Sequence, residues 1–340
     1  MLIKDRWYIA CPSARLASDK PFPFQVGDRK LVAFRDQEGA PQVLDDRCPH
    51  RAVPLSLGRV EQGKLSCGYH GWVFDGDGAL VEIPAEQQEG GAHMCVRSHI
   101  ATEAFHYVWV WVAGTHAQPT HTPHLRGFRE VGSWIQYSAT WKTPALFGVE
   151  NNMDATHTAF SHPGNYPGRE GDLGAVPKLR RGLVRVHSDD ETVVFWAAQP
   201  GEAPVPTFEG DCAWGMLFEL PFTNYVNLPF GDIQAIYHWI PLSDDSCRLE
   251  FMLKKRPEAK SNEEFRLKVV DEEIEILRQD RVLLEGAQER ISGLAEDFVG
   301  VSVESDLGQL AVRRLIRLAL ESANGRTREP ARTKDFEIWA

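Results

Sequence analysis

The sequence predicts an α+β protein in which an all-β N-terminal domain precedes a domain with an antiparallel sheet covered by helices. Residues 1 to 115 alternate short runs of β-type residues with turns rich in Gly, Pro and Asp. Beyond residue 126 longer strand-like runs return, and helical patterns follow them. Strands and helices are therefore segregated along the second half, which is typical of an α+β domain. A chain of 340 residues also exceeds the usual size of one domain.

The predicted strands of the N-terminal domain are short and separated by turns such as Asp75-Gly-Asp-Gly78. They cover residues 7–10, 30–34, 43–44, 72–74 and 107–112. The run from Tyr107 to Ala113 is the most apolar of the chain, but it is far too short to span a bilayer as a helix. Its β-branched and aromatic residues indicate a buried strand, and nothing predicts a membrane anchor.

The segment from Gly114 to His124 predicts a linker, because it has two prolines and few large apolar residues. We interpret His116, His121 and His124 as solvated linker residues, since no preorganised element would hold them around a metal. The domain boundaries are thus expected at 1–115, 116–125 for the linker, and 126–340.

In the second domain, strands are predicted at residues 179–187, 192–197, 214–220, 233–240 and 248–254. A long helix is expected to begin at the capping-box pattern Ser261-Asn-Glu-Glu264 and to continue toward Arg290. A second helix is predicted for residues 310–320.

Composition indicates an ordinary soluble globular protein, with 43% hydrophobic and 25% charged residues. The formal charge of -11 and the lack of a basic cluster argue against nucleic acid as a partner. The N-terminus MLIKDRWYIACPS has no uninterrupted apolar stretch for a signal peptide, so we expect a cytoplasmic protein. The scattered cysteines at positions 11, 95, 212 and 247 indicate isolated core thiols rather than disulfides.

Two short motifs, Cys48-Pro-His50 and Cys67-Gly-Tyr-His70, each carry one cysteine and one histidine. Two thiolates with two imidazoles suit either a tetrahedral zinc or a two-iron cluster with one iron held by sulfur and the other by nitrogen. Zinc ribbons usually use Cys-x2-Cys knuckles, and zinc fingers separate a cysteine pair from a histidine pair. The spacing therefore favours the iron cluster, with a closed structural zinc site as the alternative.

The segment CPHRAVPLSLGRVEQGKLSCGYHGWVFD resembles the Rieske [2Fe-2S] family, whose signature is Cys-x-His followed by Cys-x2-His. The resemblance implies that Cys48 and Cys67 hold one iron and that His50 and His70 hold the other. Pro84 resembles part of the third loop that covers such a cluster. A centre of this kind transfers single electrons.

A second constellation lies between Glu150 and His162, where Asp154, His157 and His162 stand out. On a regular helix Asp154 and His157 would share a face. The two histidines would lie about 140° apart, which is too wide for one metal. The helix is therefore expected to bend, bulge or end here, before the helix-terminating pair Pro163-Gly164. Capping and core roles remain open for the same residues.

This stretch resembles the Asn-x2-Asp-x2-His-x4-His motif of Rieske oxygenases. The resemblance implies that His157 and His162 bind a mononuclear Fe(2+) together with a later carboxylate. Asp280 matches that carboxylate best. The competing carboxylates on the same predicted helix are Glu273, Glu275 and Glu285. Two histidines and one carboxylate leave coordination positions open for O2.

The resemblance further implies that Asp154 bridges His70 of a neighbouring subunit to His157. A carboxylate between two imidazoles would fix their tautomers and give a short polar path between the two metals. A head-to-tail contact that closes into a ring predicts a homotrimer. Asn151, one turn before Asp154, is expected either to face the iron or to cap a helix.

The expected function is therefore that of the terminal oxygenase of a multicomponent Rieske system. The size of the chain and the spacing of its motifs resemble those of monooxygenases that hydroxylate or oxidatively demethylate a small aromatic or heterocyclic substrate. No Gly-x-Gly-x2-Gly follows a strand, so NAD(P)H would act through a separate reductase, with or without a ferredoxin. The alternatives are ring cis-dihydroxylation and, from another class, a Rieske electron carrier or a zinc-stapled binding module.

Substrate contacts are only weakly indicated by the sequence. The aromatic and apolar residues Trp214, Met216, Phe218 and Tyr225 could line an apolar pocket or simply form core. His238 could offer a polar contact to the substrate, or it could be a core histidine with a hydrogen-bond partner.

Overall fold

The chain forms two compact units in a computed structural model, Met1–Leu125 and Arg126–Ala340. The structure describes residues 2–86, 94–114, 118–126, 134–162, 181–197, 215–227, 233–255, 263–292, 300–322 and 330–339. The predicted fold class is confirmed: β-sheets form the first unit, and a large antiparallel sheet with few helices forms the second.

The described part of the first unit contains strands and two single-turn 3-10 helices, Ser13–Arg15 and Leu55–Leu57. The strands are β1 (Arg6–Pro12), β2 (Phe22–Val26), β3 (Arg29–Arg35), β4 (Pro41–Asp45), β5 (Arg59–Glu61), β6 (Lys64–Ser66), β7 (Val73–Phe74), β8 (Leu80–Glu82), β9 (Ser98–His99), β10 (Ala101–Ala104) and β11 (Tyr107–Val112). They form three antiparallel sheets in the orders β1-β11-β10, β2-β3-β4-β9 and β5-β6-β7-β8.

The apolar run near residue 110 is the buried strand that the sequence predicts. All six residues of β11 are buried, and the strand pairs with β1 on one side and β10 on the other. The linker predicted to follow it packs partly along the same sheet. The indole nitrogen of Trp7 donates to the carbonyl of His121 at 2.8 Å, and the ring of His121 meets that of Trp111 edge-on.

Both Cys/His motifs lie on loops anchored in one small core. The first loop joins β4 to β5, and the second joins β6 to β7. The cysteines of these loops are buried and the core places them among apolar side chains, which include Phe34, Leu55 and Phe74. Each loop is closed by backbone hydrogen bonds, such as that from Gly71 N to Cys67 O at 3.0 Å. The apolar core and these hydrogen bonds therefore position both loops.

The second unit is built on one eight-stranded antiparallel sheet. Its strands are β12 (Trp134–Trp141), β13 (Arg181–Ser188), β14 (Thr192–Ala197), β15 (Gly215–Glu219), β16 (Thr223–Asn227), β17 (Ile233–Pro241), β18 (Cys247–Lys255) and β19 (Arg332–Trp339). The sheet order is β12-β18-β17-β16-β15-β14-β13-β19. The five strands predicted from the sequence are present, whereas β12, β16 and β19 were not predicted.

Four helices accompany this sheet in the described residues: α1 (Ala145–Asn151), α2 (Thr158–Ser161), α3 (Glu263–Ile291) and α4 (Leu307–Glu321). The predicted capping box begins at Ser261, which lies outside the described residues. Helix α4 begins three residues before the predicted start, because the 3-10 turn Glu304–Asp306 leads directly into it.

Helix α1 packs closely on the sheet at one glycine. A Cβ atom built at Gly148 would lie 2.4 Å from ring atoms of Trp239, far inside van der Waals contact. The indole nitrogen of Trp239 donates to the side-chain oxygen of Asn152 at 2.8 Å, just after the helix ends. These contacts fix the position of the segment that leads from α1 to α2.

Among the described residues, no helix combines the length and the apolar character needed to cross a membrane.

Candidate functional site

The cysteines and histidines of the two Cys/His motifs are arranged in pairs of the same type, Cys48 with Cys67 and His50 with His70. The imidazole rings of His50 and His70 lie 4.5 Å apart between centroids. Burial raises the pKa of the Cys48 thiol, and the neighbouring Cys67 thiol, within hydrogen-bonding reach, raises it further. A bound metal cation would stabilise the thiolate form of Cys48 against this effect.

This arrangement distinguishes between the two metals that the sequence left open. A tetrahedral zinc needs all four ligand atoms within about 4 Å of one another. All four residues are described, yet no three of them bring ligand atoms within 4.8 Å of each other. A sulfur pair separated from a nitrogen pair fits two bridged irons rather than one ion. The chemistry of the donor set and its geometry thus fit a [2Fe-2S] cluster.

The surroundings of His50 prepare it as a ligand. Its ring stacks on Trp72 with centroids 4.7 Å apart and planes 4° from parallel. Its Nδ1 atom is buried and has no hydrogen-bond partner among the described residues. Burial, followed by the neighbouring His70, lowers the pKa of His50, which favours the neutral form that binds metals.

The third loop implied by the resemblance also lies against the motif. Gly71, directly after His70, has φ +74°, and a Cβ atom built there would lie 3.3 Å from Cγ of Pro84. Pro84 therefore covers the end of the second loop. On the outer side, His70, Tyr69 and Leu57 are exposed.

The second constellation lies on a break between two short helices. Helix α1 ends at Asn151 and α2 begins at Thr158. The expected interruption of the helix between Asp154 and His162 is therefore observed, and Asp154 and His157 do not lie on one regular helix. Helix α1 ends well before the pair Pro163-Gly164, which lies outside the described residues. The backbone carbonyl of Asn151 accepts from the Asp154 amide at 3.3 Å and closes the turn.

This break brings the two histidines to one carboxylate on α3. The Nε2 atoms of His157 and His162 lie 3.6 Å and 3.0 Å from the same oxygen, Oδ1 of Asp280. One ligand atom from each residue falls within 4.8 Å of the other two. His162 and Asp280 are buried, and His157 is partly exposed. The trio has the ligand types and the spacing to hold one metal ion.

Asp280 faces the histidines because of its place on the buried stripe of α3. Glu273, Ile276, Leu277 and Asp280 follow the i, i+3, i+4, i+7 pattern, and all four are buried. The competing carboxylates do not join the trio. Glu275 is exposed beside Arg278, and Glu285 accepts the backbone N–H of Lys142. Glu273 is buried but lies two turns of helix before Asp280.

The electrostatic field of this trio favours a cation. Burial alone would lower the pKa of His162, but the carboxylate of Asp280 outweighs it and raises the pKa above its ordinary value. The Nδ1 atom of His162 lies 2.8 Å from the side-chain oxygen of Gln279. The ring is thus held at both nitrogens by consecutive residues of α3.

Asp154 is held beside His157 without entering the trio. Its Oδ1 accepts the backbone N–H and the hydroxyl of Thr156, each at 2.7 Å. Its Oδ2 lies 3.5 Å from Nδ1 of His157. Burial works against ionisation, but the hydrogen bonds of His157 and Thr156 hold the pKa of Asp154 below its ordinary value. The carboxylate is therefore ionised and oriented toward Nδ1 of the His157 ring.

The residues proposed for an apolar pocket do not share one sheet face. Residues that pair directly across antiparallel strands point to the same side. Met216 and Phe218 pair with Val226 and Asn224, whereas Tyr225 pairs with Leu217. Tyr225 therefore points to the opposite face of the sheet from Met216 and Phe218, so these three cannot line one pocket. Trp214 lies outside the described residues.

His238 lies on the Tyr225 face and is buried. Its Nδ1 is 3.0 Å from the hydroxyl of Thr223. Burial lowers its pKa to about 3, so the ring is neutral near pH 7. The same face carries other buried polar side chains, namely Glu219, Asn227, Gln234 and Glu250.

The structure adds site residues that the sequence reading missed. Gln279 supports His162, Thr156 holds Asp154, and Arg313 of α4 binds Glu150 in a two-point ion pair with distances of 2.7 and 2.9 Å. Gln279 could have been suspected as the neighbour of Asp280. No sequence signal links Arg313 to Glu150, because 163 positions separate them.

Two of the three predicted linker histidines lie in the described residues. His121 and His124 are exposed, with ring centroids 6.4 Å apart. His116 lies outside the described residues.

Two family models match the chain. The Rieske [2Fe-2S] domain matches residues 6–103. The vanillate O-demethylase oxygenase C-terminal domain matches residues 141–322, which is more than half of the chain.

Individual relatives agree with this pattern. The vanillate O-demethylase oxygenase subunit of Pseudomonas sp. strain HR199 is 33% identical over 179 residues, covering 52% of this chain and 49% of the relative. The 3-chlorobenzoate-3,4-dioxygenase oxygenase subunit of Comamonas testosteroni is 31% identical over 263 residues, covering 74% and 58%. The chain spans about half the length of the curated relatives that it matches.

Among solved structures, dicamba monooxygenase bound to 3,6-dichlorosalicylic acid has a similar fold. The TM-score is 0.75 with 22% identity, and the alignment covers 93% of this chain and 97% of that one.

Proposed function

The chain belongs to the family of Rieske oxygenase components that carry a C-terminal domain of the vanillate O-demethylase type, and from this premise we propose that it is the terminal oxygenase of a multicomponent Rieske system. The observation that carries the proposal is the meeting of His157, His162 and Asp280 around one point. A Rieske electron carrier or a zinc-stapled binding module would not need this trio in addition to the two Cys/His motifs. Two histidines and one carboxylate suit a mononuclear Fe(2+) with open positions.

Each group of residues has a defined task in this proposal. Cys48, Cys67, His50 and His70 would hold a [2Fe-2S] cluster, and the trio would hold the mononuclear iron. When bound, the cluster supplies single electrons and the iron provides the place where O2 is activated. The protein orients His157 through Asp154 and His162 through Gln279, and it keeps His162 and Asp280 away from water.

We propose hydroxylation or oxidative demethylation of a small aromatic or heterocyclic substrate. Similarity to vanillate O-demethylase supports removal of a methyl group. Similarity to 3-chlorobenzoate-3,4-dioxygenase supports ring cis-dihydroxylation as the second candidate. His238, neutral and on a sheet face with buried polar side chains, is the proposed hydrogen-bonding contact for the substrate. Asn151, three residues before Asp154, is the proposed residue near the iron.

Electrons are proposed to pass between subunits of a homotrimer. His70 is exposed together with the apolar neighbours Tyr69 and Leu57. On the second unit, exposed apolar side chains occur within three residues of the metal ligands, at Phe160, Val282 and Leu283. Exposed apolar residues beside both centres fit burial against another copy of the chain. Asp154, partly exposed behind His157, would then receive His70 of the neighbouring subunit.

The remaining proposals concern partners and organisation. A separate reductase, with or without a ferredoxin, would deliver electrons from NAD(P)H. Residues 1–115 are proposed as the Rieske [2Fe-2S] domain, 116–125 as the linker and 126–340 as the catalytic domain. A cytoplasmic location stays a prediction.

The proposal is tested by metal analysis and by products. The purified chain should contain three irons, two in the cluster and one at the trio. With a surrogate reductase, methoxy- and methylamino-aromatics should give formaldehyde together with substrate-dependent O2 consumption. Products that contain both oxygen atoms of O2, without formaldehyde, would instead support cis-dihydroxylation. Two irons or fewer and no O2 consumption would reject an oxygenase.

Variants on one helix provide the matched control. Asp280→Ala should lose the third iron and keep the cluster absorbance. Glu285→Ala, five residues later on α3, should keep all three irons. Equal iron loss in both variants would contradict the assignment of Asp280.

A further inference from the structure

We propose that Gln279 is a positioning residue of the mononuclear metal site, which selects the tautomer of His162 and fixes the direction of its coordinating nitrogen. The inference rests on the proposed function, because it concerns the metal that the trio would hold. Its starting point is the distance of 2.8 Å between the side-chain oxygen of Gln279 and Nδ1 of His162. Nε2 of the same ring lies 3.0 Å from Asp280 Oδ1.

A neutral imidazole has one nitrogen that donates and one that accepts. If the amide oxygen of Gln279 accepts, Nδ1 carries the proton and Nε2 keeps its lone pair. That lone pair then points to the place where the ligand atoms of the trio meet. The opposite tautomer would put a proton on Nε2 and prevent coordination. The hydrogen bond from His162 to Gln279 therefore prepares the ring for a metal.

Water cannot easily replace this acceptor, because the His162 ring is about 1% exposed. Without an acceptor, the Nδ1 proton would be buried and unsatisfied, which is costly. The ring would turn or change tautomer to avoid that cost. Because Gln279 and Asp280 are consecutive on α3, the helix that supplies the carboxylate also aligns the histidine.

The two histidines have different partners behind them. Nδ1 of His157 faces the carboxylate of Asp154, whereas Nδ1 of His162 faces a neutral amide. A carboxylate behind a ligand makes it more basic and adds negative charge near the metal. Asp154 and Asp280 are carboxylates in contact with the two rings, and Glu273 also helps to raise the pKa of His162. An amide at position 279 orients His162 without adding another acidic group.

The experiment compares metal affinity among variants of the full chain with its cluster intact. Gln279→Leu removes the acceptor at similar side-chain size, and Gln279→Glu restores an acceptor with charge. The control is Gln288→Leu on the same helix, where the amide donates to the hydroxyl of Ser292 at 3.2 Å. Dissociation constants for Fe(2+) and Co(2+) are measured against a competing chelator. The Co(2+) absorption spectrum reports geometry, while cluster absorbance and Tm report folding.

Gln279→Leu should weaken Co(2+) binding about 10- to 100-fold and change its spectrum. The cluster absorbance should stay unchanged. Gln279→Glu should recover the affinity, and Gln288→Leu should match wild type. Wild-type affinity in Gln279→Leu, or no recovery in Gln279→Glu, would overturn the inference and leave the proposed function intact. If wild type and His162→Ala bind Co(2+) equally weakly, the proposed metal site itself fails, and the role of Gln279 with it.

Discussion

At the scale of single residues, the residues proposed as metal ligands could be selected from the sequence, whereas the residues that hold them in place could not. Cys48, His50, Cys67 and His70 are close in the chain, so their spacing carries the signal. His157 and His162 are also neighbours, but Asp280 needed the family resemblance, because nothing in its local sequence separates it from Glu275 or Glu285. Gln279 holds His162 by a contact between residues that lie 117 positions apart in the chain. No sequence motif marks an ordinary polar residue with such a role.

His238 leads to a prediction about acid stability. Its folded-state pKa of about 3 lies far below the usual value of about 6.5. The charged groups near the ring are Glu219 and Glu250, the latter its direct partner on β18. As pH falls below about 6.5, the unfolded chain binds a proton here that the folded chain rejects. The free energy of unfolding should therefore fall by about 1.4 kcal/mol per pH unit from this residue alone.

The measurement is the pH dependence of denaturant unfolding between about pH 7.5 and pH 5 in wild type and His238→Gln. Wild type should lose stability more steeply toward acid. His187→Gln, which changes a histidine beside Thr333 on the second unit's β13, is the control and should keep the wild-type slope. Equal slopes in all three proteins would show that His238 titrates normally in the folded state.

At the scale of elements, the strands missed by the sequence reading share physical reasons. β12 and β19 are the two edges of the large sheet. Edge strands carry polar and charged residues that hide the apolar pattern of a strand. β19, with the sequence RTKDFEIW, shows this directly. β16 is central but short, and its sequence TNYVN contains two asparagines, which are depleted in strands.

The ion pair between Arg313 and Glu150 leads to a prediction for the helices that carry the metal segment. It joins α4 to α1, and the Glu150 side chain is about nine-tenths buried. Arg313→Met leaves this carboxylate without its cation, so the chain should lose about 1–3 kcal/mol of stability. Its affinity for Fe(2+) should also fall, because α1 leads directly into the turn of Asp154.

Thermal unfolding and chelator competition check both effects. Arg317→Met, an exposed position one turn later on α4, is the control and should change stability by no more than about 0.5 kcal/mol. If Arg313→Met matches this control in both measurements, the ion pair does not hold the helices together.

At the scale of the whole molecule, the proposed electron transfer between subunits of a homotrimer predicts complementation between two inactive variants. His70→Ala should lack a working cluster and keep the mononuclear site, whereas His157→Ala should have the reverse defect. In a mixed trimer, one junction pairs an intact cluster with an intact iron site in the neighbour. Co-expressed chains purified through two different tags should therefore recover about a third of wild-type turnover.

Each variant alone should be inactive, and Asp154→Ala in both chains should abolish the recovery while both kinds of metal site remain loaded. Mixed assemblies without turnover, although a productive junction is present, would place electron transfer within one chain.

The contact between Gly148 and Trp239 limits which substitutions the protein tolerates during evolution. The proposed ligands of the iron site are easily recognised by their chemistry, but the close packing of α1 on Trp239 depends on the absence of a Cβ atom at Gly148, nine residues before His157. A side chain at Gly148 would push the seven-residue helix α1 away from the indole of Trp239. The displacement would also move the turn that leads to His157. A substitution at Gly148, which is not a proposed ligand, would therefore disrupt the proposed iron site as much as the loss of one of its ligands.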